Sequence, residues 1–362
     1  MLRTARRRTA RRRTAGLAAA ALSTLAVTAL PTAAEAGTGS ASGSATLLSS
    51  VDASGVQAAE SYWTTARMAA AVPLDGPDVT TQGVAGALGL RAGVGAPAAD
   101  TDAAPGGVAP SAGRTPLAGA PVVRGTRAPA VKVARPWTGA AGVTQRVGKV
   151  FFTRAGMPYV CSASSVDSRN ASVVVTAGHC ATEGGVPSAK FVFVPGYANG
   201  LRPFGTWAAQ QLISTPEWSG GDPDSAAALN GDVAFAVLAP RNGRTLAATV
   251  GSFAISFSDT TSPVSVFGYP VSTRDDGETL KHCRGQRFAD TAGTTDRGTN
   301  CVMAGGSSGG PWLAGFDPAT GTGTVTSVVS FSYRDNPNAL FGPVFGPSVQ
   351  AAYTKASTAA VS

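Results

Sequence analysis

The chain has 362 residues and a formal net charge of +8, from 29 Lys and Arg against 21 Asp and Glu. Seven arginines and one acid, Glu35, fall within residues 1–36, so the remainder is nearly neutral. No clustered basic face with aromatic platforms is visible, and nucleic acid is excluded as an expected partner.

Two Thr-Ala-Arg-Arg-Arg blocks open the chain, an uncharged run extends from Gly16 to Leu30, and Ala34-Glu35-Ala36 follows Pro31. A positive start, a short apolar stretch and a small-residue cleavage site describe a secretory signal peptide over residues 1–36. A membrane anchor is the competing reading, but an Ala- and Thr-rich run inserts poorly beside one of Leu or Ile. The export route stays open, with Arg12-Arg13 as a candidate twin-arginine pair. No stable membrane association is expected after cleavage.

Residues 37–137 are dominated by Ala, Gly, Pro, Thr and Ser. Ala85–Ala130 has no aromatic residue and cannot bury enough apolar surface to offset chain entropy. The stretch 37–137 is therefore expected to be a largely disordered pro-segment or linker. One island, Glu60–Met68 with Tyr62 and Trp63, reads as a short helix that either stays marginal or docks on the folded domain. Arg114, Arg124, Arg127, Lys132 and Arg135 are candidate processing sites.

The texture changes near Thr138, and residues 138–362 are expected to form the folded domain. Short β-rich runs recur at Val147–Thr153, Val173–Thr176, Lys190–Pro195, Asp232–Leu238, Val264–Gly268 and Val325–Ser330, separated by Gly, Pro, Asn and Asp clusters. That pattern predicts an all-β sandwich or barrel. Pro347–Lys355 predicts a short C-terminal helix. The four cysteines include no Cys-x-x-Cys pair, which argues against zinc. Three pairings are open. An oxidising compartment favours the local one, Cys161–Cys180 with Cys283–Cys301, each bridge contributing about 3 kcal/mol by loop entropy.

The chemistry gathers at Thr176-Ala177-Gly178-His179-Cys180 and at Gly305-Gly306-Ser307-Ser308-Gly309-Gly310-Pro311-Trp312. A serine hydroxyl needs a base within hydrogen-bond reach, a carboxylate to orient that base, and backbone N–H groups for the developing oxyanion. The chain has only two histidines, and His282 lacks any such context, so His179 is the candidate base. Ser308, flanked by glycines, is the candidate nucleophile. Asp232 precedes an apolar run that would bury it, whereas the rival carboxylates Asp222 and Asp224 sit in a Gly/Pro/Asp loop.

These three motifs, in the order His, Asp, Ser, resemble those of the chymotrypsin/trypsin-like serine endopeptidase family of secreted bacterial type. The resemblance implies two six-stranded antiparallel β-barrels with the active site in the cleft between them. It implies a secreted monomer that acts on a protein or peptide substrate and needs no cofactor or metal. His179 would be the general base, Asp232 its orienting partner and Ser308 the nucleophile, with the Gly306 and Ser308 N–H groups as oxyanion hole. Cys161–Cys180 would brace the histidine loop. Ser330, Phe331 and Ser332 would pair with the substrate backbone, and Val302 would stand in the specificity pocket. Two residues depart from the trypsin-like pattern. Ser307 replaces an aspartate that captures a freed N-terminus, and Val302 replaces the aspartate that selects Lys and Arg. A secreted protease-fold binding protein with weak or absent activity is the rival reading, which Ser307 keeps open, and an esterase using the same triad is a third.

Overall fold

The computed structural model describes residues 44–87, 131–260 and 263–362. The signal peptide and the processing candidates Arg114, Arg124 and Arg127 lie outside the described residues.

The first half of the domain is built from strands buried on both faces. They are β2 (Val147–Arg154), β3 (Met157–Val166), β4 (Val173–Thr176), β5 (Ala189–Pro195), β6 (Trp207–Ser214) and β7 (Ala234–Leu238). The sheet order is β5-β2-β3-β4-β7, and β6 pairs with both β5 and β7, which closes a six-stranded antiparallel barrel. Ala155 and Gly156 join β2 to β3 with positive φ at both residues, the tight turn whose twist matches a hairpin. Alternate residues such as Val150, Phe152, Val174, Phe193 and Leu212 form one cluster. Their neighbours Phe151, Val160, Val192, Phe235 and Val237 belong to a second cluster shared with elements outside the barrel. Burial on both faces accounts for the apolar stretches within them, at residues 150–152, 173–175 and 191–194 and in Ala234–Leu238.

The second half holds β8 (Val264–Gly268), β9 (Lys281–Gly285), β10 (Arg287–Ala289), β11 (Arg297–Thr299), β12 (Pro311–Asp317), β13 (Thr322–Val328), β14 (Phe331–Tyr333) and β15 (Asn336–Gly342). One sheet runs β13-β12-β8-β9 and the other β10-β11-β15-β14. The chain itself joins them, since β9 leads into β10 and β13 into β14. Phe267, Leu313, Val325 and Val328 of this half share the second cluster with the first barrel, so the two halves meet through one apolar interface. The closed first barrel and the β-rich second half agree with the expected double-barrel fold. The C-terminal helix runs Pro347–Thr358, with Pro at its first turn, and buries Val349, Ala352 and Ala356. His282 lies in β9 among Phe267, Trp137 and Phe316, where burial lowers its pKa to about 4. It packs as an aromatic.

The linker expectation needs correction over residues 44–87. β1 (Thr46–Ser50) pairs antiparallel with β6, α1 (Ala53–Tyr62) and α2 (Thr65–Ala69) follow, and Val72–Pro73 adds a parallel strand to β3. Asp52 and Thr64 cap the two helices with side-chain oxygens. Trp63 is 1% exposed, sets its ring tilted against Phe151 with centroids 5.4 Å apart, and donates from Nε1 to the Lys190 carbonyl at 2.6 Å. The Glu60–Met68 island thus docks. The folded part also begins before Thr138, because Lys132–Val133 pairs with Cys301–Val302 and Arg135–Pro136 with β9.

Trp63 is the largest fully buried side chain that this segment sets against the barrel. Trp63→Ala removes about 3–5 kcal/mol of packing. Limited proteolysis of a chain made inert by Ser308→Ala should then cut within 44–87 well before the barrels. Equal resistance with and without Trp63 would show that β1 alone holds the segment.

Candidate active site

Asp232 sits just ahead of β7, fully buried, and its carboxylate collects three donors. The His179 backbone N–H donates to Oδ1 at 2.7 Å, His179 Nδ1 bonds Oδ2 at 2.7 Å, and Ser330 Oγ donates to Oδ2 at 2.5 Å. A carboxylate deprived of water is held only when such donors replace its hydration. Engaging Nδ1 fixes the tautomer that leaves Nε2 as the basic nitrogen. Nε2 is buried and makes no hydrogen bond among the described residues.

His179 rides on a single helical turn, Gly178–Ala181, whose start must pass very close to Asp232. A Cβ at Gly178 would lie 2.6 Å from Trp218 Cδ1 and 2.9 Å from Asp232 Oδ1, so only glycine fits. Arg154 Nη2 donates to the His179 carbonyl at 2.6 Å, and Cys161–Cys180 ties the next residue to β3. The second bridge is Cys283–Cys301, so both expected pairings form. Cys161, His179 and Cys180 come close enough to suggest metal ligands, but the two sulfurs are spent in the disulfide.

Ser308 is 3% exposed and lies in a loop held by uncharged hydrogen bonds. The Ser162 N–H donates to the Ser308 carbonyl at 2.8 Å, and Ser162 Oγ donates to the Gly306 carbonyl at 2.8 Å. The Tyr269 N–H donates to the same Ser162 hydroxyl at 3.0 Å. Ser307 Oγ donates to the Ala304 carbonyl at 2.7 Å, closing the turn locally. Gly309 has φ +80°, and a Cβ there would collide with Thr176 Oγ1 and the Ser162 carbonyl.

Two cavities flank these groups. One of about 250 Å³ is lined by His179, Trp218, Thr182 and Asp224, among others. The other, about 240 Å³, is lined by Ser307, Ser308, Ser330, Phe331, Ser332, Met303 and Leu340, among others. Ser330, Phe331 and Ser332 line the cavity beside Ser308, whereas Val302 does not. It pairs with Val133 instead, and Met303 and Ala304 face the cavity in its place. Cys301, bonded to Cys283, holds Val302 in that edge strand. Asp222 is exposed and accepts from the Asp224 N–H, and no hydrogen bond joins either to His179 among the described residues.

No family model and no curated protein matches the chain. Among solved structures it is similar to the protease Anisep from Arthrobacter nicotinovorans, at 37% identity over 62% of this chain and 100% of that one, with a TM-score of 0.57. The thermostable serine protease AL20 from an extremophilic microorganism is similar at 38% identity over 60% of this chain and 100% of that one, with a TM-score of 0.56. The chain belongs to the chymotrypsin/trypsin-like serine protease family.

Sequence reasoning missed two groups in this protease. Ser162, in the middle of β3, carries no motif, and only the fold shows its hydroxyl bridging Tyr269 and Gly306. Asp296 precedes β11 and is fully buried, with neither carboxylate oxygen hydrogen-bonded among the described residues. Burial, reinforced by the charges of Asp232 and Asp290, pushes its pKa well above the usual carboxylate range.

A carboxyl whose pKa rises on folding favours the folded state least at high pH. Its cost is absent below the unfolded pKa and grows as pH rises toward the folded value. Asp296→Asn should therefore raise the melting temperature of the Ser308→Ala protein more at pH 8 than at pH 4. A pH-independent difference between the two proteins would mean that Asp296 has a partner when ionised.

Proposed function

We propose that this protease is a secreted serine endopeptidase that works through an acyl-enzyme, with His179, Asp232 and Ser308 as its triad. The observation that carries the reading is the buried Asp232 carboxylate bonded to both the backbone N–H and Nδ1 of His179. That pairing stabilises the imidazolium formed when Nε2 takes the proton from Ser308 Oγ. Oγ then bonds the scissile carbonyl carbon, and the oxygen takes up negative charge facing the N–H groups of Gly306 and Ser308. Collapse expels the amine, which receives the proton from Nε2, and leaves the acyl group on Ser308. Water attacks this ester with His179 again as base, releasing the acid and restoring the hydroxyl.

Export is supported by the leader-like residues 1–36 and by the two disulfides. Among the described residues no helix is long and apolar enough to cross a membrane. A monomer acting on protein or peptide substrates, without cofactor, accounts for the site as built. The residue on the acyl side of the cleaved bond would enter the cavity bounded by Met303, Ala304, Val329 and Leu340. The barrels place no charged side chain among the residues lining it, so apolar side chains fit best.

Ser308→Ala should abolish both hydrolysis of a general protein substrate and labelling by a fluorophosphonate while the melting temperature stays near that of the parent. Asp232→Asn should lower the rate by about 10⁴-fold through the wrong tautomer. A folded wild-type chain, freed of residues 44–87, that never takes the label would establish the binding-protein alternative. Ester turnover without protein cleavage would establish the esterase. Profiling cuts in a peptide library should show cleavage after apolar residues; dominant cleavage after Lys, Arg or Glu would refute the pocket assignment.

A further inference from the structure

The segment between α2 and the helical turn α3 (Thr81–Ala87) passes through the cleft and contacts the proposed machinery directly. The Leu74 N–H donates to the Val160 carbonyl at 3.0 Å, and the Gly306 N–H donates to the Leu74 carbonyl at 3.1 Å. Asp75 packs so closely on Gly305 that a Cβ there would strike its carboxylate. A Cβ on Gly76 would collide with the Ser330 carbonyl and come 3.2 Å from Phe331 Cα. Asp75, Gly76 and Pro77 line both cavities, the one beside His179 and the one beside Ser308.

Both ends of this crossing are anchored. Upstream lie β1 and the buried Trp63. Downstream, Val79 and Val84 are buried in a cluster with Phe331 and Tyr333, and the Arg334 N–H donates to the Val79 carbonyl at 2.9 Å. Thr81 donates from N and Oγ1 to the Asp335 carboxylate at 3.1 and 2.5 Å. Arg334 Nε reaches Asp78 Oδ1 at 2.9 Å.

We infer that Val72–Asp78 is a built-in inhibitor that fills the cleft of its own chain and runs through it opposite to a substrate. The inference rests on the serine peptidase reading. On that reading a substrate places its acyl side in the cavity beside Ser308 and Ser330–Ser332, and its amine side would leave across Ser308 toward β3, whose Ser162 bonds the nucleophile loop. Here the order is reversed, with Val72–Leu74 along β3 and Asp75–Pro77 in the acyl cavity. The Leu74 carbonyl does reach the Gly306 N–H, but its own amine side, Asp75, points into the acyl cavity. Proton delivery from His179 to the leaving nitrogen is then misplaced, so the segment occupies the site without being cut.

The test follows fluorophosphonate labelling of the full-length band, which still carries residues 44–87, on a denaturing gel. Gly76→Arg introduces a side chain where none fits, and Leu74→Pro removes the N–H given to Val160. Each should label at least tenfold faster than the wild-type band of the same size, and cleaving away residues 44–87 should give the wild type the same gain. Equal labelling of the wild-type and both variant bands would overturn the inference and leave the peptidase reading intact. No label in any band, including the trimmed wild type, would overturn the peptidase reading and the inference with it. Self-cleavage within 72–78 in the wild type, seen by mass spectrometry, would overturn the reversed direction.

Discussion

The site depends on keeping one carboxylate away from water. Asp232 has no exposed surface, so every lone pair it loses to burial must be met by the protein. The donors come from two places far apart in sequence, the turn at His179 and Ser330 in the second half. Meeting that requirement forces the two halves to close on each other in one arrangement. The cleft is the by-product of that closure. Gly178 is part of the same constraint, because any side chain there would push the histidine turn off the carboxylate it must touch.

The nucleophile loop obeys a different logic. In the trypsin-like pattern a charge at the position of Ser307 captures a freed N-terminus and orders the loop. Here the order comes from neutral bonds, with Ser162 Oγ to the Gly306 carbonyl, Ser307 Oγ to the Ala304 carbonyl, and the Gly309 N–H to the Val329 carbonyl at 2.7 Å. None of these needs a liberated amine. A loop ordered in this way is already shaped in the unprocessed chain, which moves any control of activity from loop ordering to access.

Legibility in the sequence followed the range of the interaction. His179, Asp232 and Ser308 could be read because each sits in a short motif whose local backbone demands glycine or an apolar run. The strands Val173–Thr176 and Ala234–Leu238 were readable for a similar reason, being buried on both faces and so almost continuously apolar. Val302 misled because a count back from Ser308 assumes an unbroken register, and Cys283–Cys301 together with Lys132–Val133 pulls it into an edge strand. Residues 44–87 were hidden more deeply. Apart from the Glu60–Met68 island, their order follows from long-range packing on β6, Phe151 and Phe331, which leaves no local motif. Asp296 left no signal, since an orphan buried carboxyl is indistinguishable from a turn aspartate until its neighbours are known.

Access and catalysis compete for one hydrogen-bond donor. In an open cleft the Gly306 N–H would face solvent, and on the proposed chemistry it serves the oxyanion. With Leu74 in place its proton is already committed, so the same loop geometry that would speed hydrolysis also binds the segment. Little intrinsic affinity is needed, because anchoring at Trp63 and at Val79 makes the encounter intramolecular, with an effective concentration on the order of mM for a short tether. A few backbone hydrogen bonds then suffice to hold the cleft closed. The dependence also runs the other way: once the segment is severed from both anchors it must compete as a free peptide, and bonds worth about 1 kcal/mol each cannot hold it against substrate. Control by a tether of this kind needs no charge at Ser307, and that makes the departure from the trypsin-like pattern coherent with the rest of the fold.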